Sequence, residues 1–151
     1  MANSDVTIDW KGDNAKNKLE LAVARGMLMT MSDCVWMSKQ LCPRNYTTLQ
    51  KSIELRAPIK RGRWIIGVWG SFNVNYALWV EIGTGPHMPP IEPLRDWARH
   101  KLGDPDIGVA VAIKISRKGT EAQPYLGPAA DNYYPRFADN IKKAMKMRKS
   151  G

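Results

Sequence analysis

Cysteine, histidine and phenylalanine are the scarce side chains here, with two of each in 151 residues. Cys34 and Cys42 have no second pair, so neither a disulfide framework nor a four-ligand zinc module is expected. Two thiols in an apolar stretch are expected to be reduced and buried. His87 and His100 lack finger-like spacing with them, so no metal site is expected. Ser-His-Asp, Cys-His and phosphate-loop arrangements are missing, so no catalytic residue is expected. Glu81, Asp104 and Asp106 are the carboxylates that could be read as metal ligands, but Asp104-Pro105-Asp106 has the form of a helix start. There is no run of about 18 apolar residues, so no membrane span is expected. Met1 to Trp10 is polar and acidic rather than basic and then apolar, so the chain is expected to stay in the cytoplasm where it is made. Internal repeats and low-complexity linkers are missing too. One domain over 1–151 is expected, with 1–12 and 147–151 as flexible ends.

Acidic side chains are also few. Twenty-three Lys and Arg face fourteen Asp and Glu, a net charge of +9 and a pI near 9.7. Such a balance favours contact with nucleic acid or another acidic surface. Lys142, Lys143, Lys146, Arg148 and Lys149 crowd the C-terminus. They read either as a contact for DNA or an acidic partner, or as a solvated helix end whose cations suit the negative pole of the helix dipole. With six tryptophans, the charge also permits an alternative function, a stand-alone basic nucleic-acid binding protein. Trp64, Trp69, Trp79 and Trp97 sit in apolar patterns, however, where packing is the default.

Hydrophobic periodicity outlines the elements. From about Asp13 to Leu41, Leu19, Val23, Met27, Cys34, Met37 and Leu41 fall on one side of a helix, with Leu21, Ala24, Leu28, Met31 and Val35 adjoining. The arc covers roughly half the circumference, wider than one packing face needs. It calls for two partners: the chain's own sheet, and either a deep core or a neighbouring subunit. Pro43 stops the helix. Ile53, Leu55, Ala57 and Ile59 alternate with Glu54, Arg56, Pro58 and Lys60, a half-buried strand with an edge character at Pro58. Lys60 to Arg63 supplies a turn, and Trp64 to Trp69 is apolar on both faces, as in a strand covered on two sides. A short helix follows over Asn75 to Glu81, then a loop at Gly83-Thr84-Gly85-Pro86. The next helix starts at Pro93 and ends at Gly103. Ile107 to Ser116 alternates like a strand, yet Ala110, Ala112 and Lys118-Gly119 lean slightly to helix. Ala130, Tyr133, Tyr134, Phe137, Ile141, Ala144 and Met145 recur at helical spacing across Pro135, which kinks or restarts that helix.

Between and beside these elements stand short motifs built from corner-forming and anchoring residues. Thr47-Thr48-Leu49-Gln50-Lys51-Ser52-Ile53 comes first. Tyr76-Ala77 then leads to Val80-Glu81-Ile82-Gly83-Thr84. Pro89, Pro90, Pro93, Leu94 and Trp97 follow. Gly119, Thr120, Pro124, Tyr125, Leu126, Pro128 and Ala129 complete the series. In this order, over roughly Pro43 to Met145, the series resembles the neck or tail-completion (head–tail joining) structural proteins of long-tailed bacteriophages. Thr48 stands where that family carries a glycine, which leaves the tight turn open there. The resemblance implies an α+β domain: a long N-terminal helix packed on a small, mostly antiparallel sheet, further helices, and a long C-terminal helix. It also implies that 107–118 is helical. It implies no cofactor and no enzymatic activity. It implies a virion protein that forms a ring, of six subunits, with tail-tube and head-closure or connector proteins as partners. Passing double-stranded DNA would be a non-specific contact. The interface residues expected on this reading are Arg61, Arg63, Glu81, Gly83, Thr84, Pro89 and Pro90. Gly119, Thr120, Pro124 and Pro128 are expected as structural corners.

Overall fold

The computed structural model describes residues 12–43 and 47–147. Helix α1 (Gly12–Leu41) is its longest element, about 45 Å at 1.5 Å per residue. The residues it buries include Ala22, Gly26, Thr30, Cys34 and Ser38, a stripe of small side chains every fourth position. Helices α6 (Gly127–Tyr133) and α7 (Phe137–Lys146), joined by a 3-10 turn at Tyr134–Arg136, lie against α1. Their approach is close: a Cβ on Gly26 would stand 2.7 Å from the Ile141 backbone nitrogen. Asn140 Nδ2 donates to Thr30 Oγ1 at 3.0 Å, and Thr30 Oγ1 donates to the Gly26 carbonyl at 2.9 Å. This relay satisfies the two buried polar side chains at the crossing. The second partner that the wide face of α1 requires is therefore the C-terminal helices of the same chain. Leu19, Leu21 and Leu28, placed on the apolar arc by periodicity, remain 50, 45 and 40% exposed. Helices that approach closely select small side chains over large ones, so the buried seam departs from the most hydrophobic arc.

The other side of α1 carries the sheet. Strands β1 (Ile53–Arg61) and β2 (Trp64–Ser71) form a two-stranded antiparallel hairpin. Gly62, at φ 59°, makes the turn. Arg56 pairs with Val68 and Ile59 with Ile66, so Ala57 and Pro58 together oppose Gly67. This bulge takes up a proline that has no N–H to donate. It also reverses the phase of β1, because one extra residue exchanges the two faces. Ile53 is buried, whereas Ile59 turns outward and Lys60 pairs with Glu20 of α1 at 2.6 Å. The expected burial of Ile59 is corrected accordingly. So is the expectation that β2 is covered twice. Its inner face meets α1, where a Cβ on Gly67 would lie 2.5 Å from Met27 Sδ. Trp64, Ile66 and Val68 on the outer face are exposed.

Helix α2 (Thr47–Ser52) stands where the family resemblance implied a turn and strand. Thr48 suits it without a glycine. Its Leu49 joins Cys42, Ile53 and Tyr125 in a buried cluster, with Val35, Val74, Ala77, Val80 and Leu126 packed around it. Helix α3 (Ala77–Ile82) follows. Helices α4 (Ile91–Leu102) and α5 (Asp106–Lys118) then form a helical hairpin, each the other's main packing partner. α4 starts two residues before the expected Pro93. Gly103, at φ 78°, caps it, and Asp104 Oδ1 accepts the Asp106 N–H at 2.9 Å to start α5. Residues 107–118 are helical because Gly108 and Ala112, one turn apart, are the buried face of α5. The whole is an α+β fold with a long helix at its start and a helical run at its end. Of the ends expected to be flexible, 1–11 and 148–151 lie outside the described residues. Gly12 opens α1, and the Met147 N–H donates to the Lys143 carbonyl at 3.2 Å.

Candidate functional site

Two motifs far apart in sequence meet at one junction. The Glu81 carboxylate, at the end of α3, accepts backbone N–H groups from Tyr125 (2.8 Å), Leu126 (2.9 Å) and Gly127 (2.7 Å). These include donors that the start of α6 leaves without a helical partner. A carboxylate also suits the positive pole of a helix. Beside it, Thr84 and Thr120 form an antiparallel bridge, each N–H donating to the other's carbonyl at 3.1 Å. Their hydroxyls lie 2.9 Å apart. The Gln123 N–H donates to the Val80 carbonyl at 2.8 Å. The Val80–Thr84 and Gly119–Gly127 segments are thus laced together by backbone and side chain alike.

The bridge dictates its glycines. Gly83 has φ 73° and Gly119 has φ 72°, a region that L side chains adopt with strain. A Cβ on Gly83 would stand 2.5 Å from the Thr120 carbonyl oxygen. One on Gly119 would run into the Thr84 carbonyl and lie 2.7 Å from the Gly85 carbonyl carbon. Gly119 also closes α5, its N–H donating to the Ile115 carbonyl at 2.8 Å. Tyr125 anchors the junction to the core. Its ring is fully buried, and its hydroxyl is 2.8 Å from Ser71 Oγ on β2. Burial raises the Tyr125 phenol above its usual range, with the Ser71 hydrogen bond opposing the shift.

An open groove of about 680 Å³ runs beside the junction, with Tyr76, Trp79, Pro86, His87, Thr120 and Glu121 among its lining. His87 Nδ1 is 3.0 Å from the Gly85 carbonyl oxygen. Trp79 is 53% exposed although it sits in an apolar stretch. Ala77 and Val80 take the core-facing side of α3, which turns Trp79 outward.

The residues expected to act at interfaces and corners separate into distinct places. Gly83, Thr84, Gly119 and Thr120 form the junction. Glu81 belongs there too, its carboxylate committed to intrachain hydrogen bonds. Pro124 directly precedes the buried Tyr125, and Pro128 occupies the first turn of α6. Pro89 and Pro90 lead into α4, with Pro90 at its N-cap. Arg61 and Arg63 flank the hairpin turn, where the Arg63 guanidinium lies 5.2 Å from the centroid of the Trp64 ring. Lys142, Lys143 and Lys146 are exposed on α7, and Lys142 pairs with Asp139 of the same helix at 3.1 Å. Arg148 and Lys149 lie outside the described residues. Cys34 and Cys42 are buried. Burial, with the nearby Asp33 second, pushes the Cys34 thiol up to about 11, and burial raises Cys42 as well. Among the described residues, no three His, Cys, Asp or Glu side chains gather as a metal site would require.

Comparison with protein-family models, curated proteins and solved structures finds no match. The groove-lining Trp79 and Glu121 were not among the expected site residues. Their sequence signal is weak: an aromatic opposite the buried positions of a short helix, and an acid next to a corner.

Proposed function

We propose that this chain is a non-enzymatic structural subunit of a long-tailed bacteriophage virion. It forms a ring with copies of itself at the head–tail junction or tail end and acts in tail completion and head–tail joining. One observation carries the reading. Two of the motifs that resemble the phage neck family, Val80–Thr84 and Gly119–Gly127, converge on a braced junction bordered by large apolar side chains exposed among the described residues. Trp79, Ile82 and Met88 lie on or beside it, and Trp64, Ile66 and Val68 cover the outer face of the hairpin. Large apolar side chains left exposed in groups suit interaction sites. A brace of hydrogen-bonded corners fixes the angle at which such patches are presented, which is the work of an assembly subunit. Among the described residues, no helix is long and apolar enough to cross a membrane, and a virion location needs none. The partners on this reading are further copies of the chain, the tail-tube protein and the head-closure or connector protein.

Electron microscopy with and without purified tail-tube protein tests the proposal. Closed rings at high concentration, or rings capping the tubes, are the expected images. Bare tube ends and scattered monomers in both preparations would remove its basis.

A further inference from the structure

Two surfaces left exposed among the described residues have opposite shapes and complementary chemistry. One is convex, the hairpin tip at 61–64. Gly62 turns the chain there, Arg61 and Arg63 are exposed on either side, and Trp64 is 63% exposed. Neither arginine enters an ion pair among the described residues. The other is concave, the groove that carries Tyr76, Trp79 and Glu121. Glu81 at its side is occupied by three backbone N–H groups. Glu121 is exposed and makes no ion pair among the described residues. It is the carboxylate left to meet a cation.

We propose that the hairpin tip of one copy seats in the groove of the next. An arginine of the tip pairs with the Glu121 carboxylate, and Trp64 packs against Trp79. This rests on the ring reading above and names the contact that builds the ring. A guanidinium both stacks on aromatic faces and binds a carboxylate, so one tip suits both the aromatic rings and the carboxylate that line the groove. Arginine and tryptophan are also the residues that most often anchor protein interfaces. The acid in the groove disfavours a phosphate-bearing occupant. The two patches differ, so the contact is heterologous. Each copy offers a tip to one neighbour and a groove to the other, which yields a closed ring when the rotation closes.

Charge reversal in the full chain tests this contact. Glu121→Arg alone, and Arg61→Glu with Arg63→Glu, are each expected to weaken self-association at least about tenfold in sedimentation, because like charges then face each other. Combining the reversals in one chain is expected to restore it. All three side chains are exposed, and melting curves matching the parent establish that the variants fold. In a second measurement, Arg63→Cys and Glu121→Cys chains are mixed and oxidised. A mixed disulfide dimer is expected, while the buried Cys34 and Cys42 stay unreactive. Rings that form normally in every reversal variant, with no mixed disulfide, would overturn the contact and leave the ring reading standing. A Glu121→Arg chain that self-associates normally but no longer binds tail-tube protein would assign the groove to that protein and overturn the proposal. A parent chain that forms no oligomer with or without tail-tube protein would overturn both readings together.

Discussion

Glu81 stabilises the junction through three charge-assisted hydrogen bonds, so its removal leaves three backbone donors without their partner. Glu81→Ala is expected to cost about 1.5–3 kcal/mol in urea unfolding. An unchanged midpoint would mean that water replaces the carboxylate at no cost. The glycines make a sharper comparison. Gly83→Ala and Gly119→Ala combine positive φ with collisions against carbonyl oxygens across the bridge, and each is expected to cost about 1–3 kcal/mol or more. Gly103 has similar φ but open space around the position of a Cβ. Gly103→Asn is therefore expected to change stability by only about 0.5 kcal/mol. Gly103 also differs in ψ, −3° against −177° at Gly83, so a loss from Gly103→Asn as large as that from Gly83→Ala in thermal melting would contradict assigning the Gly83 cost to its backbone region and the bridge. The glycine corners were legible in the sequence, because glycine beside threonine and proline marks a reversal. The role of Glu81 was not, because its partners lie 44 to 46 residues further on and nothing local points to them.

Elements were legible where their packing partner follows the same periodicity and obscure where it does not. Helix α4 ends at its glycine, and α5 starts at its Asp-Pro-Asp signal, as the local chemistry predicts. The seam of α1 departs from the leucine arc because hydrophobicity highlights leucines, while α1 buries Ala22, Gly26, Thr30, Cys34 and Ser38, with Gly26 and Thr30 against α7 and Cys34 against Ala129 of α6. Gly26→Leu is accordingly expected to destabilise by about 1–3 kcal/mol or more, since α7 must move to admit the side chain. Leu28→Ala, at a more exposed position, should cost less than about 1 kcal/mol. The opposite order in chemical denaturation would place the seam on the leucine arc. The outward turn of Ile59 was hidden for a related reason. Alternation predicts burial only while the register is unbroken, and Pro58 sits in the bulge that breaks it.

For the whole molecule, the α+β fold class was implied by the resemblance, while periodicity outlined individual elements. The meeting of the Val80–Thr84 and Gly119–Gly127 segments needed tertiary structure to become visible. The excess positive charge belongs to this scale as well. Replacing Lys142, Lys143 and Lys146 by Gln is expected to shift stability by less than about 1 kcal/mol, since these exposed charges contribute little, and the variant that also neutralises Arg148 and Lys149 is taken into assembly assays. If the basic end meets an acidic partner, joining of heads to tails is expected to fail at physiological salt. If it meets passing DNA, particles still assemble and ejection changes. Normal joining and normal ejection would leave these residues as a solvated helix end. Duplex DNA binding by the parent chain, if present, is expected to be weak and to fall steeply with salt. Tight, salt-resistant, sequence-selective binding would favour the nucleic-acid module instead.

The central claim is that the braced junction and the patches around it exist to build a closed ring of identical chains. Native mass spectrometry over a concentration series, alone and with tail-tube protein, measures this most directly. The account predicts monomer at low concentration and one dominant closed stoichiometry, six by the family resemblance, at high concentration or on the tube. A monomer that persists under every condition, or an open ladder of sizes with no preferred number, would contradict it.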